Sequence, residues 1–277
     1  MRIHDLLNSG LLLIGSLQHA AESAGRKEEI AIWQHLRNQW NFTIITGQVY
    51  VFEDYLASLD SARTSYVSTA FNARADPMSQ QGMTLLLREL DEQTDPARKQ
   101  YTLVIINLLN FIADSEQYEA FENYLVDRYS NPPLAIAFFN TRQEADAWLN
   151  SLSEPPSGGN VLIGDEYFSI WYSRENGVRE LSRNDVVELF LDDSSSNQLP
   201  PVAASFNTRE EALEWLTSHP ASPMLLVTIA GERYHAVYHK KFNRHTLHSL
   251  TRLREERERI KAEQEQQEDQ EAEPSED

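Results

Sequence analysis

Two spacings of apolar residues alternate along this chain, and each predicts a different kind of element. Up to about residue 130 the apolar positions recur every three or four residues. Leu6, Leu13 and Leu17 lie on one helical stripe. Ile30, Trp33, Leu36, Arg37 and Trp40 form a second, with the aliphatic stem of Arg37 along its rim. Phe52, Tyr55, Leu56 and Leu59 make a third after Gly47, a residue suited to end the preceding helix in the left-handed conformation. Further helices are expected at about 79–94, 96–114 and 117–129; Pro96 suits a first turn, where its missing N–H is not needed. β-branched residues crowd into Phe42–Phe52, so a hairpin competes there. Helix is preferred, because the matching later segment 111–117 has far less β character.

After Asn131-Pro132-Pro133 the helical period stops. Leu134–Phe139 and Val202–Phe206 read as strands. Each leads into a helix that opens on a capping box, Thr141 with Glu144 and Thr208 with Glu211. Those helices bury Ala145, Trp148 and Leu149, or Ala212, Trp215 and Leu216. Hairpins follow, Val161–Ile163 with Tyr167–Tyr172 around Gly164, and Leu225–Ala230 with Tyr234–His239 around Gly231. Ser182–Leu191 reads as a helix and Asp192–Asn197 as a linker. Thr246 to about Gln267 reads as a charged helix that frays into an acidic end.

Both halves are duplicated. Phe139-Asn140-Thr141-Arg142-Gln143-Glu144-Ala145-Asp146-Ala147-Trp148-Leu149 returns 67 positions later as Phe206-Asn207-Thr208-Arg209-Glu210-Glu211-Ala212-Leu213-Glu214-Trp215-Leu216. The same offset pairs Gly164 with Gly231, Tyr167 with Tyr234 and Ile170 with Val237. In the first half Asn41-Phe42, Gln48 and Phe52-Glu53-Asp54-Tyr55-Leu56 return after 69 positions as Asn110-Phe111, Gln117 and Phe121-Glu122-Asn123-Tyr124-Leu125. Upstream, Gly10 matches Gly82 after 72. The expected class is α+β. An all-helical domain (1–130) of two three-helix units, about 1–60 and 79–129, precedes a duplicated β-α-β-β domain (131–250, repeats 131–182 and 199–250). A charged helix and tail (251–277) end the chain.

Composition narrows the function classes. A chain of 277 residues that is 41% hydrophobic and 10% aromatic can bury ordinary cores. The absence of cysteine removes disulfides, thiolate metal sites and cysteine nucleophiles, and it suits a reducing cytosol. A net charge of −19 argues against nucleic acid and anionic membranes and favours a basic protein partner. Residues 255–277 alone hold eleven acidic and three basic side chains, hence −8. Arg2 ahead of Leu11–Ile14 outlines a signal peptide, but Gly15 and Ser16 interrupt that run, and no segment approaches the ~20 apolar residues of a membrane span. A cytoplasmic location is the expectation.

Candidate chemistry is sparse. Four of the eight histidines fall at His235, His239, His245 and His248. The first two share one side of a strand. The last two stand one turn apart if their segment is helical, so convergence on a metal is geometrically open. Arg233, Lys240, Lys241, Arg244, Arg252 and Arg254 surround them as a basic surface, with Arg233, Lys240, Lys241 and Arg244 as the candidate anion-binding residues, against which stands simple neutralisation of the acidic tail. Glu53 and Asp54 offer paired carboxylates, but adjacent helical residues diverge by about 100°. Thr141-Arg142 and Thr208-Arg209 need only helix initiation to explain them. Phosphate-binding glycine loops, His-Glu-x-x-His and nucleophile-elbow patterns are absent from the sequence, and no catalytic residue or cofactor is implied.

On its Phe-Asn-Thr-Arg-x-Glu-Ala-x-x-Trp-Leu repeat the chain resembles uncharacterised bacterial proteins built from strand–helix–hairpin units, some of them immunity-like. It is also faintly similar to the SPOR domains that bind peptidoglycan, although its period is about twice a SPOR half-repeat. The resemblance covers residues 132–250. The net charge of −19, the two duplicated scaffolds and the lack of a catalytic constellation lead to the expectation of a non-enzymatic, immunity- or adaptor-like protein that masks a basic partner. The alternative expectation is a ligand- or metal-binding protein or enzyme with a site near the histidines or between the two halves.

Overall fold

The computed structural model describes residues 2–60, 65–128, 132–185, 201–219 and 223–272, with 264–272 as backbone alone. The protein is α+β, with a helical N-terminal half and two four-stranded sheets after it. Two compact units form. One comprises the chain to Val126 with Glu154–Gly159 and Trp171–Arg179; the other comprises Asp127–Ser153, Asn160–Ile170 and the chain from Glu180.

The helical unit is built from α1 (Ile3–Ser23), α2 (Lys27–Ile45), α3 (Val49–Ser58), α4 (Thr69–Arg74), α5 (Pro77–Glu92), α6 (Pro96–Asp114) and α7 (Tyr118–Arg128). Phe42–Phe52 is helix broken at one point, where Gly47 adopts φ +76°; at the equivalent position Glu116 takes φ +59°. The short α4, capped by Ser68 and anchored by buried Phe71, was not foreseen from the sequence.

The repeat is visible as packing. α1 lies on α2 and α6, and α5 lies on α6 and α2. Gly10 of α1 faces Ile105 of α6, and its counterpart Gly82 of α5 faces Leu36 of α2. The aromatic contacts pair in the same way: Phe52–Phe111 at 5.5 Å mirrors Phe42–Phe121 at 5.6 Å, and Tyr55–Phe111 at 5.4 Å mirrors Phe42–Tyr124 at 5.7 Å. Each copy's third helix thus packs against the other copy's second. The two copies interlock around one pseudo-twofold axis and share a single core.

After the helical half each repeat carries one strand more than expected. β1 (Ala137–Phe139), α8 (Arg142–Ser151), β2 (Asn160–Ile163), β3 (Glu166–Ser173) and β4 (Val178–Arg183) form one sheet with its helix. β5 (Val202–Phe206), α9 (Arg209–Ser218), β6 (Met224–Ile229), β7 (Glu232–His239) and β8 (Arg244–Ser249) form the other. In both, a parallel pair (β1·β2, β5·β6) adjoins an antiparallel hairpin. The expected helix over Ser182–Leu191 is corrected at its start, because Ser182 and Arg183 end β4; residues 186–191 and the linker 192–197 lie outside the described residues. The expected helix from Thr246 is corrected too. Thr246–Ser249 belong to β8, where Thr246 pairs with Val237, and α10 runs only from Leu250 to Ala272. Helical spacing of Leu247, Leu250 and Leu253 concealed a strand that the neighbouring β7 holds in place.

The structure also corrects the register of the hairpins. The turns place Glu166 opposite Ile163, and Glu232 opposite Ile229, so the strands after the helices match at an offset of 66 rather than 67. The two cores then agree position by position: Ala145 and Ala212, Leu149 and Leu216, Val161 and Val227, Ile163 and Ile229, Ile170 and Ala236, Leu181 and Leu247. One residue fewer between helix and hairpin in the second repeat moves every later side chain by one, which on a strand is the other face. Gly177 and Asn243 consequently coincide, both with positive φ (+65° and +48°), as a tight turn demands.

α8 and α9 cover one face of each sheet, and the opposite faces meet. Tyr167 of β3 places its ring 5.9 Å from His239 and 6.2 Å from His248. α10 docks through Leu250 and Leu253 against Leu226. Among the described residues no helix is long and apolar enough to cross a membrane.

Candidate functional site

The four histidines singled out by the sequence do not converge. All are buried, but β8 is a strand, so His245 and His248 point to opposite faces. His245 packs at 5.0 Å on Tyr238, on the α9 side. His235, His239 and His248 line the inner face, with His235 directly across from His248. There they serve as packing and hydrogen-bonding groups. The Thr246 hydroxyl lies 2.8 Å from Nε2 of both His239 and His248. One hydroxyl proton serves one acceptor, so one of the two rings carries its proton on Nε2 and the other on Nδ1. Burial, with the nearby Arg244 charge, lowers the His239 pKa to about 4; burial with the neighbouring histidines lowers that of His248 to about 3. Both rings are neutral near pH 7. Among the described residues no three His, Cys, Asp or Glu side chains are placed to hold a metal ion. Under the corrected register His235 and His239 match Ser169 and Ser173, not Phe168 and Tyr172.

The basic residues also fail to form one anion site. Arg233 and Arg244 stand near opposite ends of the β7–β8 ladder, about 20 Å apart at ~3.3 Å per residue. Lys241 donates to the Ile136 carbonyl over 2.7 Å, and its pKa is lowered by burial. Arg244 lies flat on Phe138, 3.6 Å from the ring centroid, and 4.0 Å from Asp165. These two cations are tied to the first repeat, and Lys240 is exposed in the turn before β8.

Glu53 and Asp54 do converge, on a cation that the sequence did not suggest. Within the helical unit Arg174 donates to Glu53 at 3.0 Å, to both oxygens of Asp54 at 2.7 and 3.1 Å, and to Glu154 at 3.0 Å. Its guanidinium covers the Tyr50 ring at 4.7 Å. A guanidinium fork reaches three carboxylates where adjacent acids on a helix cannot reach one substrate atom unaided. The pair is a docking point for the 171–179 hairpin.

One cleft in the two-sheet unit, about 630 Å³, combines convergent polar groups with open space. Its walls come from the β2–β3 turn (Asp165, Glu166), the first turn of α9 (Arg209), the start of β7 (Glu232, Tyr234) and the β8–α10 junction (Ser249, Arg252, Glu255). Arg209 pairs with Asp165, and Arg252 with Glu166 at 2.8 Å. Glu232 is held instead by neutral donors, the hydroxyls of Ser249 and of Tyr234, the latter at 2.8 Å. These bonds lower its pKa, so it is a carboxylate at neutral pH. The four carboxylates of the cleft exceed its two guanidiniums, Arg209 and Arg252, and leave it negative.

Of the cleft residues the sequence had pointed to Arg209, read as needing only helix initiation, to His248 as a metal candidate and to Arg252 as part of the basic surface, but not to Asp165, Glu166 or Glu232. A signal existed in the difference between the repeats. Arg142 closes an i, i+4 pair with Asp146 at 2.9 Å, but the second repeat has Leu213 in place of that acid, and Arg209 reaches across to Asp165. Comparison with protein-family models, with curated proteins and with solved structures found no match.

Proposed function

We propose that this chain is a non-catalytic cytoplasmic interaction protein, immunity- or adaptor-like, whose partner is a basic protein. The observation that carries the reading is where the ionisable side chains go. Most of the residues that chemistry would have used are spent on packing: His239 and His248 between the sheets, Glu53 and Asp54 on Arg174, and Arg244 on Phe138. What stays available is an acidic surplus of 19 charges, a field that accelerates encounter with cationic proteins and weakens as salt rises.

The test is capture from lysate of the source cells by the purified chain at low and at high salt, with a second bait lacking residues 255–277. The reading expects one basic protein, retained near 1:1 at low salt and released at high salt. Nothing retained at low salt, or a retained set with no basic member, overturns it. The shortened bait reports whether the tail or the folded units hold the partner.

A further inference from the structure

Resting on the reading above, we propose that the cleft around Glu232 is the receptor for a lysine or arginine side chain of the basic partner.

The cleft gathers two banks of charge. On one, Asp165 and Glu166 are paired with Arg209 and Arg252. On the other, Glu232 keeps its full charge while the Ser249 and Tyr234 hydroxyls fix its orientation. Among the described residues Glu232 forms no ion pair, and Glu255 stands at the rim with it. A carboxylate aimed by two neutral donors retains acceptor capacity for a third, and a cation is the donor that also balances its charge. The wall between the charged groups is apolar, with Leu247 and Leu253, and suits the methylene stem of a long basic side chain. The volume admits one or two such side chains, not a folded segment. The first repeat has no equivalent arrangement: Arg183 stands where Ser249 stands and lies 3.4 Å from Glu166, so that carboxylate, the counterpart of Glu232, is matched by cations on both sides. The carboxylate left without a cation is thus that of the second repeat.

The test uses the full-length, isotope-labelled protein and a hexa-arginine peptide, with backbone amide shifts followed by NMR at low salt. Glu232→Gln removes the charge and keeps the shape; Glu214→Gln, on the exposed side of α9, is the matched control. The expected result is saturable shifts at Asp165, Glu232 and Ser249, weakened about tenfold by Glu232→Gln and unchanged by Glu214→Gln. Shifts confined to residues 255–277 overturn the cleft and leave the acidic-surface reading standing. The absence of shifts anywhere overturns both. Spermidine is the second arm: if it occupies the cleft as tightly as the peptide does, the ligand is a free polyamine and the assignment to a protein side chain fails. Equal loss in both variants makes the effect one of net charge and overturns it as well.

Discussion

Gln48 and Gln117 bond to each other through both amide groups, the Nε2 of Gln48 donating to Oε1 of Gln117 at 2.8 Å and the reverse bond measuring 2.7 Å. They are the same residue of the two copies, 69 positions apart. A residue that touches its own counterpart sits on the symmetry axis, so this pair marks where the two three-helix units interlock. A carboxamide is self-complementary there, since it both donates and accepts.

Removing one glutamine strands its partner. Gln48→Leu or Gln117→Leu is expected to cost about 1–3 kcal/mol, whereas the double change Gln48→Leu with Gln117→Leu costs less than the two single changes summed. Urea unfolding of the parent protein and the three variants gives the coupling. Purely additive effects would remove the axis pair from the account.

The two interface glycines are predicted to respond differently to alanine. A Cβ on Gly10 would lie 3.4 Å from Ile105, an ordinary contact, and Gly10→Ala also gains up to about 1 kcal/mol of helix propensity. A Cβ on Gly82 would come to 2.7 Å from Leu36, which is 1% exposed and has little room to retreat. Gly82→Ala should therefore destabilise by about 1–3 kcal/mol. Thermal melts rank the pair, and Gly82→Ala as the more stable variant would contradict the packing.

Acid should weaken the two-sheet layer well before carboxylates protonate. His239 and His248 titrate in the folded protein at about 4 and about 3, below their ordinary value of 6.5. The unfolded chain takes up these protons first, so stability is complete above pH 6.5 and falls as pH drops from 6.5 towards 4 and 3. The slope is roughly 1.4 kcal/mol per pH unit for each histidine. Asp76, lowered to about 2 by hydrogen bonds from His35 and Ser79 that outweigh its burial, has the same sign in a lower window: its contribution is present above 3.8 and lost as pH falls towards 2. Urea midpoints at pH 7.5 and pH 5 test this, and His239→Gln should flatten the difference.

Arg174→Ala leaves Glu53, Asp54 and Glu154 without their shared cation. The side chain is about a third exposed, which limits the cost to about 1–2 kcal/mol. Arg174→Lys should recover little, because an ammonium cannot reproduce the fork or lie across the Tyr50 ring. Full recovery by lysine would make the contact one of charge alone.

The sequence by itself determined the elements whose period is local. The three helices expected after residue 76 in the helical half lie within two residues of their expected bounds, and the capping boxes at Thr141 and Thr208 form with matching 3.2 Å bonds. The duplication was equally legible, because a repeat needs no tertiary knowledge to be seen. Tertiary structure decided what depends on neighbours. β8 carries a leucine spacing that fits a helix, and only the ladder to β7 made it a strand, which in turn set His245 and His248 on opposite faces. The missing residue before β6 is masked in the sequence because Gly164 and Gly231 share the offset of the helices; side-chain direction on a strand inverts with each position, so the strand pairing alone reveals it. The cleft, likewise, draws Asp165, Arg209, Glu232 and Arg252 from four separate segments. No spacing along the chain encodes that proximity, because it follows from two sheets packing face to face.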